Sequence, residues 1–228
     1  MSFVEKLHKK NIIAKPGFNR WLVPPASIAI HLCIGSVYAW SMFNPALIKV
    51  LGVVSSSGDD WSLSQVVWIF SVAIVSLGFA AAYAGKWLEK VGPRMVGFFA
   101  ACCWGGGFII GSLGIYLQEN GVVINLSLPF VSPDEITMQL GLYLLYLGYG
   151  VIGGVGLGLG YVSPVSTLIR WFPDRRGMAT GMAIMGFGGG AMIGAPLKKY
   201  LLDGFFLKIF LQLNLQNFFP ILANYSII

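Results

Sequence analysis

The chain has 228 residues, 56% of them hydrophobic and 11% charged, with a mean hydropathy of +0.75. A soluble domain carries about 25% charged residues, so this composition excludes one and points to an all-α polytopic membrane protein whose first partner is the lipid bilayer. The net charge of +6 then reads as membrane topology rather than as a nucleic-acid footprint.

Residues 1–20 form a basic tail with Lys6, Lys9, Lys10, Lys15 and Arg20 against Glu5. Span 1 is predicted over about Trp21 to Phe43, with Pro24 and Pro25 in its first turn, where a missing amide donor costs least. Its polar residues Ser27, His31, Gly35, Tyr38 and Ser41 step by four, four, three and three, which places them on one helical face. Lipid cannot satisfy such a stripe, so it faces either a watery cavity or a packing seam in which His31 bonds a neighbour's carbonyl.

A loop holding Asp59 and Asp60 leads to span 2, predicted from Ser64 to Gly85 with Ser62 as its cap. A short loop, Lys86 to Arg94, precedes span 3, Met95 to Leu117. Span 3 has few polar groups, suits a lipid-facing helix, and offers one small-residue face at Gly107 and Gly111. A polar loop follows, containing the sequon Asn125-Leu126-Ser127. Cys33, Cys102 and Cys103 all lie in apolar runs with no metal-ligand spacing, so they read as small packing residues.

Span 4 is predicted from Leu140 to Trp171. Gly148-x-Gly150-x-x-Gly153 matches a dinucleotide-binding pattern but lacks the strand and the phosphate-accessible turn that pattern needs, so no cofactor is expected. Close helix packing is the better reading, since Gly150, Gly154 and Gly158 repeat at four. Span 5, Gly177 to Pro196, repeats the device at Gly186, Gly190 and Gly194. Tyr143 and Tyr161 are 18 positions apart, five turns of an ideal helix, and are expected to point the same way.

Between spans 4 and 5 lies RWFPDRRGMATG, Arg170 to Gly181. Pro173 stops the incoming helix near Trp171 or Phe172, and Asp174 is placed to cap the next helix, whose first turn is Arg175, Arg176 and Gly177. Residues 201–228 are apolar but interrupted by polar residues, so they form an atypical tail or a partial sixth helix. Asn224-Tyr225-Ser226 is a second sequon there.

With the amino terminus in the cytoplasm, the inner segments hold 11 of 15 basic residues but only Glu5, Glu89 and Asp174 of the nine acids. That imbalance sets the expected orientation. No catalytic Ser/His/Asp, HExxH or paired-carboxylate arrangement lies at membrane depth, so an enzyme is not expected.

RWFPDRRGMATG followed by a glycine-rich helix resembles the helix 4–5 loop of the oxalate/formate antiporter family, within the major facilitator superfamily. Tyr38-Ala39-Trp40-Ser41 is similar to that family's helix 1 stretch. Gly85 to Arg94, GKWLEKVGPR, resembles the superfamily's loop 2–3 signature, with Glu89 in place of the usual Asp and Pro93 in place of a basic residue. The resemblance implies the amino-terminal, six-helix-type half of a carrier that alternates access, with five clear spans here. It implies a small organic anion as substrate. Tyr38 and Tyr161 are then the leading candidates to contact a carboxylate, with Trp40 and His31 behind them. Gly85, Glu89, Arg94, Arg170, Asp174, Arg175 and Arg176 would form a cytoplasmic charge network that biases the access states. No arginine lies in Leu140 to Ile169, which speaks against the proton-coupling scheme of some antiporter branches. In the family, the cations that hold the substrate lie in the second half. The expectation is therefore a truncated or incomplete carrier needing that half or a second copy, with a non-transporting scaffold or inert remnant as the alternative.

Overall fold

The computed structural model describes residues 16–48, 61–119, 124–127 and 137–201, with Leu7, Ala14 and Val122. Most of the basic tail, the Asp59-Asp60 loop and residues 202–228 with their sequon lie outside the described residues. So do the side chains of Asn125, Leu126 and Ser127.

Among the described residues, five helical segments are long and apolar enough to cross a membrane. Span 1 opens with a 3-10 turn, Arg20–Leu22, in which the Asn19 side chain accepts from the Trp21 amide. It continues as α1 (Val23–Gly35), with its two prolines at the start. The helix then tightens to 3-10 winding over Ser36–Met42, broken at Ala39 (φ −88°, ψ 26°), before a short α2 (Asn44–Ile48).

Span 2 is α3 (Leu63–Val91). Ser62 caps it as expected: its hydroxyl accepts from the Gln65 amide at 3.2 Å, and Gln65 Oε1 accepts from the Ser62 amide at 2.9 Å. The helix runs past the expected boundary at Gly85 and takes in Lys86 to Val91. The chain turns only at Gly92, whose φ of +92° is open to glycine but strained for other residues. Span 3 is α4 (Pro93–Glu119). The next connection holds two three-residue strands, β1 (Asn125–Ser127) and β2 (Thr137–Gln139), paired antiparallel, where the sequence gives only a polar loop.

Span 4 is composite: α5 (Leu140–Leu145), a π-helical stretch Tyr146–Gly153, and α6 (Gly154–Trp171). It ends where Pro173 dictates. A 3-10 turn, Pro173–Arg175, leads into α7 (Arg176–Tyr200), which carries span 5 four residues beyond Pro196.

The two glycine faces meet different neighbours. A Cβ at Gly154 would lie 2.6 Å from the Ala73 carbonyl oxygen, and one at Gly158 would lie 2.5 Å from that of Leu77, so span 4 sits backbone-close on span 2. Gly186, Gly190 and Gly194 instead seat α7 on span 1 at His31, Gly35 and Ser36. Span 3 packs its Gly107 side on Gly148 and Gly153 of span 4 and leaves Ile109 71% exposed on the other. Such small-residue contacts hold membrane helices together where no hydrophobic drive between them exists. The cysteines do not pack inside: Cys33 and Cys102 are exposed, and Cys103 is half-buried. The helix periodicity at these positions turns their side chains away from the bundle.

Candidate functional site

Three positions of the span 1 stripe, Ser27, His31 and Gly35, are buried, where α1 lies along α7. His31 is fully buried and donates from Nε2 to the Tyr161 carbonyl oxygen at 3.2 Å. This is the packing-seam arrangement, with span 4 as the neighbour. Its Nδ1 is buried with no partner among the described residues. With Nε2 donating, a neutral ring offers Nδ1 as an acceptor, which suits water or a hydroxyl and not a carboxylate.

The stripe does not continue as a stripe. From Ser36 the tighter 3-10 winding shifts the phase, so Val37, Ala39 and Trp40 turn inward while Tyr38 is 47% exposed. Tyr38 nonetheless joins a cluster of aromatic rings. Its ring lies 5.2 Å from that of Phe187 on α7 and 6.2 Å from that of Phe70 on α3. Tyr161 on α6 packs on the same Phe187 at 5.1 Å, and His31 lies 5.4 Å from Tyr161. Residues from spans 1 and 4 thus converge on one phenyl ring of span 5. Among the described residues, neither tyrosine hydroxyl has a hydrogen-bond partner.

Trp40 is placed differently. It is buried, its Nε1 donates to the Val66 carbonyl oxygen at 3.2 Å, and its ring packs 4.4 Å from Tyr149. Its one donor is used inside the bundle. Tyr149 comes from the π-helical stretch, which also aims Tyr146 so that its hydroxyl donates to the Gln65 carbonyl oxygen at 2.6 Å. Each i→i+5 turn takes up one residue more than an α turn. The count of five ideal turns between Tyr143 and Tyr161 therefore fails, and the inference that both point one way goes with it.

At one end of the bundle the charged residues pair. Arg20 donates twice to Asp174, at 2.9 and 3.1 Å, and its guanidinium lies 4.9 Å above the Phe172 ring. Phe18 against Trp171 and Trp21 against Phe172 extend this contact. Arg170 approaches Glu89 at 3.6 Å, and Arg175 approaches Asp174 at 3.8 Å. Asp174 is therefore not the cap of span 5: α7 starts at Arg176 with no side-chain cap, because the carboxylate is engaged by Arg20. Arg94 and Arg176 are exposed and form no ion pair among the described residues. Gly85 lies inside α3 with open space around it.

Sequence reasoning missed Phe187, Phe70 and Arg20 as members of these clusters. Phe187 could have been found from its position directly after Gly186 on the packing face. The Arg20–Asp174 pair joins residues too distant in sequence for any local pattern to signal.

Comparison with known proteins bears on this arrangement. The Major Facilitator Superfamily model matches residues 30–211. The chain is 30% identical to the uncharacterized MFS-type transporter YhjX of Escherichia coli K12, over 76% of this chain and 35% of that protein. It is 28% identical to the oxalate:formate antiporter of Oxalobacter formigenes, over 81% of this chain and 36% of that one. Against human monocarboxylate transporter 11 the identity is 41%, over 81% and 32%. The chain thus spans about a third of the length of these relatives. No solved structure matches. Five apolar spans with glycine-packed helices, and a family match over most of the chain, place this protein in the major facilitator superfamily.

Proposed function

We propose that the chain forms one wall of a carrier that moves small carboxylate anions across a membrane by alternating access. The carrying observation is that the Tyr38 and Tyr161 rings, from two spans, both pack on Phe187, with no hydrogen-bond partner for either hydroxyl among the described residues. Each is a hydrogen-bond donor to a carboxylate, and the rings limit the room beside it. His31 orients Tyr161 by holding its backbone, and Trp40 fixes the turn that carries Tyr38. The names of the oxalate:formate antiporter and the monocarboxylate transporter support the same substrate class.

In this reading the opposite wall comes from a further stretch of protein or a second copy of the chain. The amino terminus and the Arg20–Asp174 end are cytoplasmic, on the strength of the basic residues gathered there. Glu89, Arg170, Asp174 and Arg175 then bias the balance between access states rather than touch the solute.

Equilibrium binding of labelled oxalate, formate and pyruvate to the chain in lipid nanodiscs tests the reading. Saturable binding that weakens in Tyr161→Phe supports it, and no binding above empty nanodiscs sinks it. Oxalate uptake by liposomes holding only this chain, above empty vesicles, would identify a second copy as the opposite wall. A cysteine placed at Arg175, in a chain stripped of its native cysteines, tests orientation. It should resist impermeant reagents in intact cells.

A further inference from the structure

The face of α7 that seats on span 1 does not end with its glycines. Gly186, Gly190, Gly194 and Lys198 step by four, so Lys198 continues the same seam one turn on. Its ammonium reaches across to span 1. Nζ donates to the Ser36 carbonyl oxygen at 2.7 Å and lies 4.6 Å above the Phe43 ring. The neighbouring Lys199 is exposed, as a lysine near a membrane end ordinarily is. Lys198 turns inward instead.

Among the described residues, the three ion pairs, Arg20–Asp174, Arg170–Glu89 and Arg175–Asp174, all lie at the other end of the bundle. Lys198 has no carboxylate partner among the described residues. A carbonyl and a ring face offset only part of the cost of withdrawing an ammonium from water. An apolar residue would fill the seam without that cost. Charges that turn into a membrane bundle rather than out of it are candidates for a solute path, and the Lys198 ammonium has three donors, of which one is used.

We propose that Lys198 is the cation of this wall and binds the carboxylate of the transported anion. The inference rests on the carboxylate reading above and deepens it. Ser36, whose carbonyl the ammonium holds, opens the 3-10 turn that carries Tyr38 two residues later. Phe187, on which Tyr38 and Tyr161 pack, lies three helical turns earlier on the same α7. A carboxylate at Lys198 therefore sits along the span 1–span 5 seam that bears Tyr38 and Phe187, the ring on which Tyr161 of span 4 packs. The anion either shares the ammonium with the Ser36 carbonyl or displaces it.

The test compares oxalate with its uncharged diamide, oxamide, on the full chain in nanodiscs. Lys198→Gln is expected to lose about ten-fold or more in oxalate affinity, the scale of one charge-assisted hydrogen bond, with oxamide binding unchanged. Lys198→Arg is expected to keep most of the oxalate affinity. Oxalate binding in Lys198→Gln within two-fold of wild type overturns the proposal. An equal loss for oxalate and oxamide also overturns it, because Lys198 then only props the 3-10 turn. Absence of oxalate binding to the wild type instead removes the carboxylate reading itself. A measurement on the unaltered chain avoids dependence on the variant's folding: oxalate, and not oxamide, should slow acylation of Lys198 while leaving Lys199 unaffected. Equal acylation of Lys198 with and without oxalate contradicts the assignment.

Discussion

Two of the contacts that hold span 1 to the second part of the bundle work by opposite means. Along its middle, α1 and α7 meet as bare backbones: a Cβ on Gly35 would fall inside the Phe187 carbonyl, and one on Gly190 would lie 2.5 Å from the Gly35 carbonyl carbon. At its start, Arg20 grips Asp174 through a well-formed double hydrogen bond, but the two side chains are 39% and 46% exposed. The contrast separates what sets the helix positions from what trims them. Backbone contact in a membrane has no substitute, whereas an exposed ion pair is screened and costs side-chain entropy.

Breaking the seam should therefore have the largest effect. Gly190→Leu is expected to destabilise the bundle by about 3 kcal/mol, at the upper end for overpacking, or to abolish folding. Gly188, two positions away, has open space around it. Gly188→Ala should be neutral, or stabilising by up to about 1 kcal/mol from helix propensity. Thermal unfolding in detergent separates the two, and equal losses would mean that the seam is not where the packing lies.

Next in size are the site phenols, which sharpen the comparison because they hang on the seam without holding it. Tyr38→Phe and Tyr161→Phe should each weaken carboxylate binding roughly ten-fold by removing one donor, with unfolding temperature unchanged. A fall in stability of the same size would make them packing residues instead. Trp40→Phe should do the reverse. It loses the hydrogen bond to Val66 and costs about 1 kcal/mol of stability, with affinity following only as far as the Tyr38 turn loosens.

Much of this was legible in the sequence, and the residues that were not share a cause. The five spans follow from composition, and the Ser62 cap and the Pro173 stop follow from local backbone chemistry. Glycines at a spacing of four announce close packing, but not which neighbour they meet: α6 and α7 carry the same signature and use it on spans 2 and 1. Ideal α winding puts Tyr38 and Ser41 on the His31 stripe, and the 3-10 stretch from Ser36 ends that winding. Ideal winding also aligns Tyr143 with Tyr161, and the π-helical stretch between them breaks it. Asp174 has the sequence position of a cap because its neighbours are helical, while its partner Arg20 comes from the far end of the described chain.

The charged end should yield the smallest change. Arg20→Ala, Asp174→Asn and the double variant should each cost less than ~1 kcal/mol, with a coupling energy that shrinks as salt rises. A loss as large as that of Gly190→Leu would reverse the ranking of the two contacts.

The central claim is that Tyr38 and Tyr161, gathered on Phe187, hold a carboxylate. Calorimetric titration of oxalate into the wild type and the Tyr38→Phe/Tyr161→Phe double variant, both in nanodiscs, tests it most directly. The account predicts saturable binding to the wild type, and at least ten-fold weaker binding to an equally stable double variant. Equal affinity in the two proteins would contradict it.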